Sequence, residues 1–133
     1  MGVEPYDAVT AEENLAVAAA YSAASATGDV DAIAALSEPD AVTWHNYDDT
    51  EVDLAKSART IKWLFRTMPD VAWEDVAVLP TPNGFVRQAI ITGNAPGGPV
   101  RVHTCLVVTL SPAGKVARTE EYIDLAGMAP LSA

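Results

Sequence analysis

The chain has 133 residues, of which half are hydrophobic and a fifth are charged, and this is the composition of a folded globular protein rather than a disordered one. Its length suits a single domain. The formal net charge is −10, and a surface this acidic repels nucleic-acid phosphates and anionic lipid heads, so we expect neither nucleic acid nor a membrane as a partner.

The sequence offers no targeting or metal-binding pattern. Its start lacks a basic region followed by an apolar run, and no apolar stretch approaches the roughly 20 residues of a membrane span, which predicts a soluble cytoplasmic protein. The single cysteine, Cys105, excludes an internal disulfide, and two histidines without a nearby ligand cluster give no metal spacing. We therefore expect no metal and no cofactor.

The first helix is predicted from its ends. Residues 1–9 show no periodicity and are predicted to be a flexible arm. Thr10 and Glu13 match a capping box, in which each side chain binds the other residue's backbone amide, and an alanine-rich helix is predicted from there to about Thr27. Gly28 suits the left-handed stop after it.

A second helix is predicted from a cap at Asp29 to about Leu36, where Pro39 ends the segment before a strand at 41–45. Residues 48–53 then read as an acidic linker.

A third helix is predicted from a cap at Asp53 to Met68, because apolar residues recur at helical spacing at Leu54, Ala58, Ile61, Phe65 and Met68. Trp63 falls on the opposite side of this helix. Two readings are open for it: an exposed ring lying along lysine and arginine stems, or a subunit contact.

Beyond Pro69 the chain is rich in Val, Ile and Thr, and four strands are predicted at 71–79, 85–93, 100–110 and 116–123. The segments between them, PTPNG, NAPGGP and SPAG, are turn sequences, so the strands form an antiparallel meander. Helices followed by strands indicate an α+β domain over residues 10–125, with a C-terminal tail at 126–133.

Four segments, GDVDAIAAL, AVTWHN, LFRTMPD and GKVARTEEYID, occur in an order and spacing that resembles the nuclear transport factor 2-like superfamily, in its SnoaL-like and ketosteroid isomerase-like branch. The resemblance implies a cone-shaped barrel of a curved, mainly antiparallel sheet, with three N-terminal helices on its concave face. It also implies a deep hydrophobic pocket and a homodimer that pairs through the outer face of the sheet.

The resemblance transfers only in part to individual residues. Tyr21 matches the oxyanion donor of ketosteroid isomerase, and His45 falls where that enzyme keeps its general base. Its second oxyanion acid falls at Leu106, which cannot donate a hydrogen bond, so the resemblance disfavours a ketosteroid isomerase proper.

Limonene epoxide hydrolase gives a second comparison. Trp44 and Asn46 match its water-holding pair, Arg87 its arginine, and Glu121 one of its two aspartates. The other aspartate falls at Ala89, so this resemblance disfavours epoxide hydrolysis.

The parity of the strand end at His45 is open. A regular strand points Trp44 and Asn46 away from His45, so all three cannot face a pocket without a bulge. An imidazole near neutral pH can move a proton either way, which makes His45 the preferred base.

Register is also open on the next strands. Alternation puts His103 on the face opposite Leu106, and a four-residue SPAG loop pairs Leu110 with Lys115 and Thr104 with Glu121. A slip of one residue would instead bring His103 beside Glu121 as an acid–base pair.

Arg87 lies in an otherwise apolar strand, and a buried guanidinium needs a carboxylate partner, for which Glu121 and Glu120 are the candidates.

These residues predict a cofactor-independent enzyme that transfers protons (isomerisation, cyclisation or dehydration) on a small hydrophobic molecule. His45 is the predicted base, Tyr21 and Asn46 orient the substrate oxygen, and Arg87 with Glu121 supports them. Predicted wall residues are Trp44, Phe65, Trp73, His103 and Leu106. The alternative is a noncatalytic ligand-binding or dimeric assembly domain of the same fold.

Overall fold

The computed structural model describes residues 8–132, so most of the predicted arm lies outside the described residues. The helices are α1 (Ala8–Thr27), α2 (Val30–Ala35) and α3 (Leu54–Thr67), followed at the end by a 3₁₀ helix (Leu125–Ser132). The strands are β1 (Ser37–His45), β2 (Thr50–Asp53), β3 (Ala72–Thr81), β4 (Gly84–Ala95), β5 (Gly98–Leu110) and β6 (Val116–Ile123). Within residues 8–132, no helix is both long and apolar enough to cross a membrane.

The helix ends follow local chemistry. Gly28 adopts φ +66 after α1, and the carboxylates of Asp29 and Asp53 accept the amides of Ala32 and Lys56 as N-caps of α2 and α3. These three predictions are confirmed. The capping box at Thr10 is wrong, because α1 already includes Ala8 and Thr10 lies inside the helix.

The region around β1 differs from the prediction. Pro39 lies inside β1 rather than before it, where the register between Ser37 and Val42 is irregular and a missing amide is tolerated. The acidic segment 48–53 is not simply a linker, because Thr50–Asp53 forms β2 and pairs antiparallel with β1. This edge strand was not predicted because its alternating acidic residues give it no apolar face.

In the described part of the chain, six strands form one curved, open sheet in the order β2-β1-β6-β5-β4-β3. All neighbouring pairs are antiparallel except β1 and β6, which are parallel. Helix α1 packs on β3 and β4, and α3 packs on β1 and β2. The predicted α+β fold, with helices on the concave face of a curved, mainly antiparallel sheet, is confirmed, but the sheet is not closed into the predicted barrel.

The predicted register between β5 and β6 is wrong. Leu110 pairs with Val116 beside an irregularity, and Leu106, not Thr104, pairs with Glu121. The segment after Leu110 therefore spans more residues than the four of SPAG. Ser111 closes it, because its amide donates to the carbonyl of Lys115 and its carbonyl accepts the amide of Gly114. His103 does not meet Glu121 in this register.

Two apolar clusters divide the interior. One contains Leu64, Met68, Val71, Ile91, Val100, Val102, Ile123 and Leu131, and the other contains Ala18, Phe85, Leu106, Val108 and Val116. On β4, Phe85 belongs to one cluster and Ile91 to the other, so Arg87 and Ala89 lie between them. Most of the predicted C-terminal tail lies in the 3₁₀ helix, which buries Leu131.

Candidate functional site

One row of side chains crosses four strands on the concave face. Arg87 on β4 pairs with Leu106 on β5, Leu106 with Glu121 on β6, and Glu121 with His45 on β1. Cross-strand partners project from the same face of a sheet, so the register alone brings these four residues together. Three of them are ionisable or charged and lie between the two apolar clusters.

The row forms part of the wall of a cavity of about 710 Å³ between the sheet and the helices. This volume lies in the range of roughly 300–1,000 Å³ that is usual for small-molecule sites. Helix α1 contributes Tyr21 and Ser25, and α3 contributes residues from Lys56 to Leu64. The apolar part of the wall comes from Trp73, Ile91, Leu106, Ile123, Leu125, Met128 and Leu131.

His45 and Glu121 lie side by side on the wall of this cavity. Nε2 of His45 lies 3.6 Å from Oε1 of Glu121, with side-chain exposures of 16% and 26%. Burial raises the pKa of the Glu121 carboxyl, and the nearby His45 imidazole partly opposes that rise. Glu121 retains some accessible surface because it faces the cavity, while protein atoms surround it on the other sides.

Two tyrosines lie in the field of Glu121. Burial, and next the charge of Glu121, raise the pKa of Tyr21 to about 12. Burial and the same carboxylate also raise the pKa of Tyr47, whose ring centroid is 5.1 Å from that of His45. Both phenols are therefore protonated at neutral pH and able to donate a hydrogen bond.

Arg87 has a different partner from the one predicted. Its Nε donates to Oδ1 of Asp75 at 2.7 Å, rather than to Glu121 or Glu120, and the Ser22 hydroxyl donates to the other oxygen of Asp75 at 3.2 Å. The side chain of Arg87 is 3% exposed, whereas that of Asp75 is 36% exposed. The prediction that Arg87 needs a carboxylate was correct, but the partner lies on β3, where a register irregularity follows Asp75.

Trp44 and Asn46 lie away from the cavity. Trp44 donates through Nε1 to Asp49 and packs edge-on against Tyr122, while the Asn46 side chain accepts the amide of Ile123. Neither lines the cavity, so the strand is regular in parity and His45 is the inward residue. The Asn46 side chain therefore joins the end of β1 to the end of β6, and it does not reach the cavity, where it was predicted to orient a substrate oxygen.

Of the remaining predicted wall residues, some line the cavity and others do not. Trp73 and Leu106 line the cavity, and Phe65 stacks behind Trp73 at 6.0 Å without lining it. His103 lies on the opposite face of the sheet, exposed, in a separate depression with Cys105 and Tyr122. Trp63, which is 42% exposed, lies at the edge of the main cavity rather than away from it.

Some lining residues were not predicted. Tyr47 and Asp48 follow His45 and lie at the cavity edge, and the 3₁₀ helix supplies Met128 and Leu131. An aromatic residue two positions after the predicted base was a usable signal, since β1 leads directly into that turn. The contribution of the C-terminal residues had no comparable signal in their composition.

Among residues 8–132, no three His, Cys, Asp or Glu side chains gather in a group that could hold a metal ion. The chemistry that the described groups can perform is proton transfer. A histidine and a carboxyl with a raised pKa can exchange a proton with a bound carbon acid, and a neutral phenol can donate to the oxygen that becomes negative.

The sequence and the fold match known proteins. Residues 17–119 match the model of the SnoaL-like domain. No curated protein sequence matches at a significant level.

Solved structures with the same fold include PrhC from Penicillium brasilianum, with a TM-score of 0.82 at 14% identity, covering 92% of this chain and 87% of that one. A protein from Jannaschia, provisionally assigned as a SnoaL-like polyketide cyclase, has a TM-score of 0.79 at 19% identity and 99% coverage of both chains. A phenazine biosynthesis-related protein from Pseudomonas aeruginosa has a TM-score of 0.76 at 20% identity, covering 99% of this chain and 89% of that one. The family match spans most of the chain and the structures agree in fold, and the chain therefore belongs to the family of SnoaL-like domains.

Proposed function

We propose that this protein is a cofactor-independent enzyme that transfers protons on a small, largely apolar carbonyl compound bound in the concave cavity. The observation that carries the proposal is the His45–Glu121 pair, 3.6 Å apart on the cavity wall, with the neutral phenol of Tyr21 in the same electrostatic field. Family membership and similarity to a provisionally assigned polyketide cyclase support the reaction class.

In the proposed reaction, the His45–Glu121 pair takes a proton from the carbon next to a carbonyl group. The electron pair of the broken C–H bond moves into the enolate, whose oxygen accepts a hydrogen bond from the Tyr21 hydroxyl. The enolate then attacks an internal electrophile, eliminates a group, or takes back the proton at another position.

Exchange of carbon-bound protons with solvent tests this proposal without knowledge of the natural substrate. The probes are 1-tetralone and 2-tetralone in D₂O, with loss of the proton signals beside the carbonyl followed by NMR. The wild-type protein should accelerate exchange above buffer, and His45→Asn and Glu121→Gln should each reduce the acceleration by about 100-fold or more.

His103→Asn is the matched control, because His103 lies on the opposite face of the sheet and should leave the rate unchanged. Acceleration that survives His45→Asn would remove the proposed base. Binding of the ketones without any acceleration would favour the noncatalytic ligand-binding domain.

A further inference from the structure

Arg87 presents hydrogen-bond donors that the described protein leaves unused. A guanidinium has five N–H groups, and only Nε–H is bonded, to Asp75. No other described acceptor is hydrogen-bonded to Arg87, although its side chain is 97% removed from solvent and lines the cavity. Among the described residues, Thr104 Oγ1 is the buried side-chain nitrogen or oxygen that lacks a partner, so the unbonded N–H groups of Arg87 are accessible from the cavity and open to a ligand.

The ion pair with Asp75 does not cancel this charge evenly. Asp75 is more than a third exposed and shares its second oxygen with the Ser22 hydroxyl, so water and Ser22 screen its charge. Arg87 lies on the dry side of the pair, where electrostatic interactions are stronger. The cavity is therefore lined by Arg87, the positive member of the ion pair, and not by Asp75.

The acidic residues of the cavity wall do not bind the unbonded N–H groups of Arg87. Glu121 is paired with His45, and one residue, Leu106, separates it from Arg87 in the cross-strand row. The other acidic residue of the wall, Asp48, belongs to the turn after β1, near the exposed ring of Tyr47.

We infer that Arg87 is the binding site for a carboxylate group of the ligand, so that the substrate class is an apolar carbonyl compound that also carries a carboxylate. The planar guanidinium offers paired N–H groups that match the two oxygens of a carboxylate. The inference rests on the proposed function for the carbonyl group, but the carboxylate contact itself is tested by binding and needs no turnover.

The test compares two ligands of the same shape, anthraquinone-2-carboxylate and anthraquinone-2-carboxamide, by quenching of tryptophan fluorescence. Trp73 lines the cavity and reports occupancy. The wild-type protein should bind the carboxylate at least about tenfold more tightly than the carboxamide, as expected for a charge-assisted contact. Arg87→Met should abolish this preference, leaving the carboxamide affinity within about threefold of the wild-type value.

Arg101→Met is the matched control, since Arg101 is exposed on β5, next to His103 on the opposite face. It should retain the preference. Equal binding of both ligands by the wild type, a preference that survives Arg87→Met, or failure of both ligands to bind would each overturn the inference.

A second measurement keeps the test valid if Arg87→Met does not fold. In wild-type protein labelled with ¹⁵N-arginine, one set of guanidinium signals should shift and sharpen with the carboxylate and not with the carboxamide; no such set would overturn the inference. A carboxylate preference without tetralone exchange contradicts only the proposed function. If tetralone proton exchange depends on His45 but the protein shows no preference for the carboxylate ligand, only the Arg87 inference is contradicted.

Discussion

The Asp75–Arg87 ion pair should respond asymmetrically to loss of either partner. Asp75→Ala leaves a guanidinium that is 3% exposed without its carboxylate, and removal of one member of a buried pair costs about 3 kcal/mol or more. Arg87→Met leaves a carboxylate that is 36% exposed, still bonded to Ser22, and open to water. The methionine also replaces much of the apolar stem, so we expect a loss of about 1 kcal/mol.

Urea denaturation with linear extrapolation measures both values, and thermal unfolding should show a decrease of about 9 °C for Asp75→Ala and about 3 °C for Arg87→Met. The double variant should resemble Arg87→Met, because Asp75→Ala costs little once the buried cation is gone. Equal losses for the two single variants, or a larger loss for Arg87→Met, would refute the argument that burial of the guanidinium decides the cost.

Three further predictions follow from the fold and the site. Because burial raises the pKa of Glu121, the folded state holds that proton more tightly than the unfolded chain does. Wild type should therefore lose stability relative to Glu121→Gln as the pH rises through the folded pKa, and urea denaturation over a series of pH values should show the gap only on the alkaline side of that step. The phenol of Tyr21 should ionise at about 12 instead of 10.0 in an absorbance titration, with stability lost as pH rises between those values, and Tyr21→Phe should delete that step. Gly28→Ala should destabilise by about 1–2 kcal/mol for the left-handed backbone, plus a steric cost because the new Cβ would lie 2.8 Å from the Phe65 ring. Gly114→Ala, at φ +76 with open space, should show the backbone cost alone, and equal losses would exclude the steric part.

Much of the fold was predictable because local chemistry and tertiary packing agree. Asp29 and Asp53 cap their helices through amides three residues away, so these contacts do not depend on the rest of the fold. The strand at 116–123 has the bounds that its composition indicates. β2 was missed because its acidic, exposed edge lacks the apolar alternation of a half-buried strand.

The site was predicted less completely, for a geometric reason. Residue types singled out His45, Glu121, Arg87 and Tyr21, and all four line one cavity, although their catalytic roles stay predictions. Partners could not be assigned, because the β5–β6 connection shifts the register of Glu121 and the irregularity after Asp75 decides what Arg87 meets. A shift of one position in a strand reverses which face a side chain occupies.

The parallel pairing of β1 with β6 has a consequence for folding kinetics. The hydrogen bond from the Ile123 amide to Asn46 closes a separation of 77 positions, and His45 meets Glu121 through the same contact between strands. Closing a loop of this length loses chain entropy before any contact compensates for it. We therefore expect the pairing of β1 with β6 to form late in folding and to open early in unfolding. Partial unfolding would then separate His45 from Glu121 while the β3–β4–β5 meander is still intact, and amide hydrogen exchange should be faster along β1 than along β4.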